Sequence, residues 1–200
     1  MSSSRLSAPE RRQAVLDAAC RIFSEGSYRG TTTAEIARES GVSEPILYRH
    51  FASKRELYLA CLEAAWTDTR TRWDERVAAE PDPARWLPAL AAEAFDVPTR
   101  PAVLADLWVQ ALSVANEDTV IGAALSAQMR EVHDYVAGLI RRSQAAGGVV
   151  DARDADAEAW IFVSVGLLRT VAGRLGGLLG PDDLDRIRAA RADWMLGRTA

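Results

Sequence analysis

The stretch GVSEPILYRHFASKREL, residues 41–57, places Tyr48, Arg49, His50 and Lys54 within seven positions, and Lys54 is the chain's only lysine beside 23 arginines. Three chemistries could use such a cluster: acid–base catalysis, metal ligation, or the grip of a polyanion. Arginine donates to phosphate or guanine, while a tyrosine hydroxyl, a histidine ring and a lysine ammonium each hydrogen-bond or pair with a phosphate oxygen. The rest of the chain does not complete the other two sites. Two histidines and two cysteines at unrelated spacings make no metal site. Cys61, His133 and Asp134 could serve as nucleophile, base and orienter, but Cys61 lies within a helical pattern without the glycines of a nucleophile elbow. A Cys-dependent enzyme is therefore the runner-up class, and no catalytic residue, metal or cofactor is expected.

The elements that position the cluster can be read around it. Thr32, followed three residues on by Glu35, has the form of a capping box, and Gly41 ends the short helix that it would start. Ser43 offers a second N-cap, with Pro45 tolerated in the first turn of the next helix. Ser53 opens a long helix from Lys54 to about Ala79. Ala37, Gly41, Val42 and Leu47 fit a helix-turn-helix: a small residue where two helices cross, a glycine free to take positive φ, and apolar residues that pin the second helix. That arrangement exposes Glu44, Tyr48, Arg49 and, near the helix end, His50, and assigns Leu47 and Phe51 to the core. The cluster is expected to grip a DNA backbone.

The stretch TTTAEIARESGVSEPILYRHFASKRELYLACL resembles the N-terminal DNA-binding signature of TetR-family transcriptional regulators in its Thr-Thr, Ile-Ala, Gly-Val-Ser, Leu-Tyr, His-Phe and Ser-Lys elements. The resemblance covers roughly residues 10 to 60. It implies that Thr33, Tyr48, His50 and Lys54 contact phosphates, and that Glu44, Pro45 and Arg49 read or abut bases. Many members have glycine where this chain has Pro45. Charge follows the same division: residues 1–60 hold nine Arg or Lys against seven Asp or Glu, and the remainder holds fifteen against twenty-one.

Almost nothing reads as strand, so the fold class is all-α: an N-terminal three-helix DNA-binding domain over residues 1–55 and a C-terminal helical bundle over 56–200. Trp86, Leu90 and Phe95 should face inward from one short helix, and Leu104, Trp108 and Leu112 from another. Ile121, Leu125, Met129, Val132, Val136 and Ile140 repeat as the stripe of one bundle wall, closed by Gly147 and Gly148. Five of six tryptophans follow residue 70, more than a small core needs. Aromatic spacing of this kind also suits a plain core, and it is the resemblance that implies an aromatic pocket for a small hydrophobic effector, placed at Trp86, Phe95, Trp108, Met129 and His133. Residues 157–168, AEAWIFVSVGLL, lack a polar face, and with the final helix they should form a homodimer interface through Trp160, Val163, Gly166, Leu167 and Trp194. The resemblance likewise implies a four-helix dimer interface.

These observations describe a homodimer that binds double-stranded DNA, most simply a repressor that leaves a palindromic operator when its effector binds. An architectural DNA-binding dimer controlled by a protein partner is the alternative. The N-terminus lacks the apolar region of a signal peptide and the longest apolar run is too short to span a bilayer, so no membrane partner and a cytoplasmic location are expected.

Overall fold

The computed structural model describes residues 7–95 and 103–198, with the side chains of residues 92–95 excepted. Nine α-helices follow in order among them: α1 (Ala8–Glu25), α2 (Thr33–Glu39), α3 (Glu44–His50), α4 (Lys54–Ala79), α5 (Trp86–Phe95), α6 (Val103–Leu112), α7 (Thr119–Ala145), α8 (Ala155–Arg174) and α9 (Pro181–Met195). A single 3-10 turn, Pro83–Arg85, leads into α5.

Local signals set the boundaries of the first four. The Ser7 hydroxyl accepts from the Glu10 amide while the Glu10 carboxylate accepts from the Ser7 amide, a complete capping box for α1. Thr32 caps α2 by accepting from the Glu35 amide at 3.1 Å, and Ser53 caps α4 by accepting from the Glu56 amide at 3.1 Å. Each such cap contributes about 1 kcal/mol. Ser43 stands at the N-cap of α3 without a side-chain bond, so Pro45 in the first turn does the stiffening there. The turn between α2 and α3 closes on Gly41 at φ +70°, and the Val42 amide then donates to the Ala37 carbonyl at 3.0 Å. A side chain at Gly41 would meet open space but a strained backbone.

Packing joins these helices to the rest through one continuous core running from Val15 to Met195. Phe23 of α1 meets Tyr58 of α4 edge-on at 4.9 Å, and the Tyr58 hydroxyl donates to the Leu107 carbonyl of α6 at 2.6 Å. Leu57, Tyr58, Cys61 and Leu62, all past residue 55, are buried in this core, so α4 serves the head and the bundle alike. Burying one Leu-sized side chain contributes roughly 1.5–3 kcal/mol.

The α7 stripe is buried as its spacing demands at Ile121, Leu125, Val132, Val136 and Ile140, while Met129 is half-buried. In α6 the inward residues are Leu107, Trp108 and Ala111, whereas Leu112, expected to face inward, is 53% exposed. The reason lies at the helix end: Gln110 takes the inward place and its side-chain amide donates to the Gly26 carbonyl of the head. Leu90 of α5 is fully buried and Trp86 is half-buried; the side chain of Phe95 lies outside the described residues.

Candidate nucleic-acid interface

Ile36, Ala37, Leu47 and Phe51 are buried between α1, α2 and α3, which fixes α3 with one side outward. On that side Tyr48 is 46% exposed, Pro45 and Arg49 are exposed, and His50 is partly exposed. Neither Arg49 nor His50 has a hydrogen-bond partner among the described residues, so their donors face outward unspent. The guanidinium of Arg12, from α1, lies 4.8 Å above the Phe51 ring at the base of this face.

A short hydrogen-bonded ladder braces the face. Thr33 Oγ1 donates to Glu44 Oε1 at 2.5 Å, and the Tyr48 hydroxyl lies 3.0 Å from the same Thr33 oxygen. A threonine hydroxyl has one hydrogen and an ionised carboxylate can only accept, so Tyr48 is the donor to Thr33. Thr33 is buried, and its hydroxyl is bonded to both Glu44 and Tyr48 within the protein. Glu44 also sits in the first turn of α3, where a negative charge suits the helix dipole. Lys54 opens α4, and its ammonium lies 4.7 Å from the Tyr28 ring centroid and donates to the Arg29 carbonyl at 3.4 Å. Burial lowers its pKa from the ordinary lysine value.

Four contacts tie this head to the bundle. Gln110 bonds to the Gly26 carbonyl, Arg174 donates to the Ser24 carbonyl at 2.9 Å, Arg29 pairs with Glu117, and Arg55 pairs with Asp118 at 3.4 Å. Sequence reasoning missed these residues, as it missed Arg12. They are separated from their partners by up to 150 positions, and no local pattern marks them.

Between α1, α4, α6 and α8 lies a half-open cleft of about 1120 Å³. Of the five residues expected to hold an effector, Trp108 lines it. Trp86, Met129 and His133 do not. The Trp86 indole donates to the Glu80 carbonyl at 2.8 Å, and the His133 ring stacks on Trp160 at 4.5 Å with its nitrogens 2.9 Å from Asp134 Oδ1 and 3.1 Å from the Asp156 carbonyl. Trp86 and His133 are thus bonded elsewhere. Instead Leu104, Trp73 and Phe162 stand with Trp108 on the wall. Among the described residues no group of His, Cys, Asp and Glu could hold a metal ion. Cys61 is fully buried, its thiol pushed up by burial, with its sulfur facing the Leu16 carbonyl on α1, away from the contacts of His133.

Residues 15–61 match the family described as bacterial regulatory proteins, tetR family. The chain is 49% identical over 59 residues to the HTH-type transcriptional activator FasR of Mycolicibacterium smegmatis, a match covering 30% of this chain and 27% of that protein. The crystal structure of a TetR-family regulator from Rhodococcus superposes with TM-score 0.80 over 94% of this chain and 99% of that one, at 19% identity. Over residues 15–61 the chain carries the DNA-binding segment of the TetR family. Another structure with this fold is AibR in complex with isovaleryl coenzyme A and operator DNA, at TM-score 0.67 and 19% identity over 93% of this chain and 98% of that one. The chain spans between 27% and 64% of the length of the curated relatives it matches first. At these identities the structural likeness shows the fold alone.

Beyond the matched segment, α8 is apolar on two sides, and the two sides have different surroundings. Val163, Gly166 and Leu167, expected at a dimer interface, line the cleft within the chain. The outward apolar stripe of α8 is Ile161, Leu168, Val171 and Leu175, spaced seven, three and four residues apart, with Trp160 beside it. Trp194 of α9 is 40% exposed, with its indole donating to the buried Glu158 carboxylate at 2.6 Å and Arg153 stacked 3.6 Å over its ring. Leu178, between α8 and α9, is exposed as well. Among the described residues no helix is long and apolar enough to cross a membrane.

Proposed function

We propose that this chain is a cytoplasmic, homodimeric DNA-binding transcriptional regulator, a repressor that leaves a two-fold-symmetric operator when a small, largely apolar molecule enters the cleft. The observation that carries the reading is the outward face of α3, where Arg49 and His50 present unspent donors beside Tyr48 over a rigid helix-turn-helix. His50 and Lys54 grip phosphates, and Tyr48 joins them when its hydroxyl hydrogen turns from Thr33 to a phosphate oxygen; Arg49 and Pro45 meet base edges, and the Thr33–Glu44–Tyr48 ladder sets their register in the free protein. The exposed stripe of α8, with Trp160, Leu178 and Trp194, is the surface that a second copy covers, which sets two heads at a fixed spacing.

Release needs the effector to bind the DNA-free spacing more tightly than the DNA-bound one; equal affinity would shift nothing. The route open to it runs from Trp108 on the cleft wall through α4 and α6, both of which touch the head. The burial of Cys61 and its separation from His133 favour this reading over an enzyme. Sites selected by the protein from random DNA test it: recovery of an inverted repeat of two half-sites about one helical turn apart supports the assignment. Recovery of no preferred sequence overturns it.

A further inference from the structure

Four arginines reach the cleft: Arg21, Arg72, Arg76 and Arg169. Arg21 pairs with Glu39 at 3.3 Å, Arg72 with Asp68, and Arg76 has a partner of its own. Arg169 of α8 has no hydrogen-bond or ion-pair partner among the described residues. It is largely withdrawn from solvent, and burial lowers its pKa while the nearby Asp106 works the other way. The Asp106 carboxylate spends its own bond on Arg174, at 3.4 Å. A guanidinium cannot shed its proton at any ordinary pH, so a withdrawn one without acceptors is a standing cost to the fold. The lining also holds the carboxylates of Asp17, Glu25, Asp68 and Glu75, and its apolar part includes Leu104, Trp108, Phe162, Val163 and Leu167, the last two from the helix that carries Arg169.

We infer that the effector of the cleft is an amphipathic anion, with an oxyanion head (carboxylate or phosphate monoester) held by Arg169 and an apolar tail along Leu104, Trp108, Phe162 and Leu167. This rests on the reading of the cleft as the effector site. The planar fork of arginine matches either head with two parallel bonds. Trp73, Trp108 and Phe162 offer faces to a quaternary ammonium instead, but such a head would share the cleft with the Arg169 cation, to which no acceptor is hydrogen-bonded among the described residues. A cleft of about 1120 Å³ accommodates a tail of roughly ten carbons, at the upper end of small-molecule sites.

The test uses four probes of one tail length below their micellar concentrations: decanoate, decyl phosphate, decanol and decyltrimethylammonium. Trp73 and Trp108, on the cleft wall, report binding through their emission. In the wild type at least one oxyanion probe should bind about tenfold more tightly than decanol, and the better of the two names the head. Arg169→Gln should abolish that preference while leaving decanol within about twofold, and Arg169→Lys should restore part of it. Decanol binding together with an unchanged melting curve confirms that the Gln variant keeps its cleft; if it does not fold, the wild-type order of probes still decides. Decanol equal to both oxyanions, tightest binding by the ammonium, or a preference that survives in Arg169→Gln overturns the anion assignment and leaves the cleft as an effector site. If no probe binds, the effector reading falls and the inference with it.

Discussion

The indole Nε1 of Trp108 donates to Gln128 Oε1 at 2.7 Å. Gln128 passes the contact on, its amide donating to the Leu62 carbonyl of α4 at 2.7 Å. Both side chains are buried, so the chain of bonds is shielded from water and joins the cleft wall to the helix whose first residue is Lys54. Displacing Trp108 therefore pulls on α4.

Replacing Gln128 with leucine strands the Trp108 N–H in the core. Gln128→Leu should cost about 1–3 kcal/mol of stability in urea unfolding. It should also weaken the effect of any cleft ligand on operator affinity while leaving operator affinity without ligand nearly unchanged. A variant as stable and as responsive as the wild type would show that the bond chain carries neither load.

Glu44 places a carboxylate on the face proposed to meet phosphates, and the Thr33 hydroxyl donates to it. Glu44→Gln removes the repulsion and keeps an acceptor for Thr33. Affinity for random DNA should rise several-fold in filter-binding measurements, and the gap between operator and random DNA should narrow. Unchanged random-DNA binding would mean that the carboxylate points clear of the backbone.

The head was legible because its signals act locally. Thr32, Gly41, Ser53 and the spacing of Ala37, Val42 and Leu47 each dictate a cap, a turn or a contact within a few residues, and the structure has each of them. The bonds of Thr33 to Glu44 and Tyr48 were not legible, since those partners come from α3 rather than from its own helix. The bundle was harder to read. An all-round apolar helix such as α8 gives no periodicity to separate its two faces, and Val163, Gly166 and Leu167 went to the cleft while Ile161, Leu168 and Val171 went outward. Trp86 and His133 share the aromatic character of Trp108, but distant partners, the Glu80 carbonyl and Trp160, decided their places.

Leu168 stands in the middle of the outward stripe of α8 and is 42% exposed in the single chain. Leu168→Asp should leave the helical circular dichroism intact and shift sedimentation from dimer to monomer, with loss of operator binding. Val163→Asp, by contrast, puts a charge into the cleft wall and should destabilise the chain itself. A monomeric wild type at micromolar concentration would contradict the interface.

Of the two thiols, Cys20 is partly exposed and lines the cleft, whereas Cys61 is fully buried with its thiol pushed up by burial. Thiolate is the reactive form. Iodoacetamide should modify Cys20 in the folded protein and leave Cys61 untouched, and a ligand in the cleft should slow the reaction. Equal labelling of both under native conditions would show that α1 and α4 separate readily.

The central claim, that the outward face of α3 with Lys54 grips DNA, is tested most directly by titrating the selected operator at several salt concentrations with wild type, Arg49→Ala and Lys54→Ala. Affinity should fall steeply as salt rises, with the Lys54 variant weaker on all sequences and its slope shallower by about one charge per head. Arg49→Ala should lose about 1–3 kcal/mol on the operator and relax the sequence preference. Affinity independent of salt, or both variants binding operator and random DNA as the wild type does, would contradict the account.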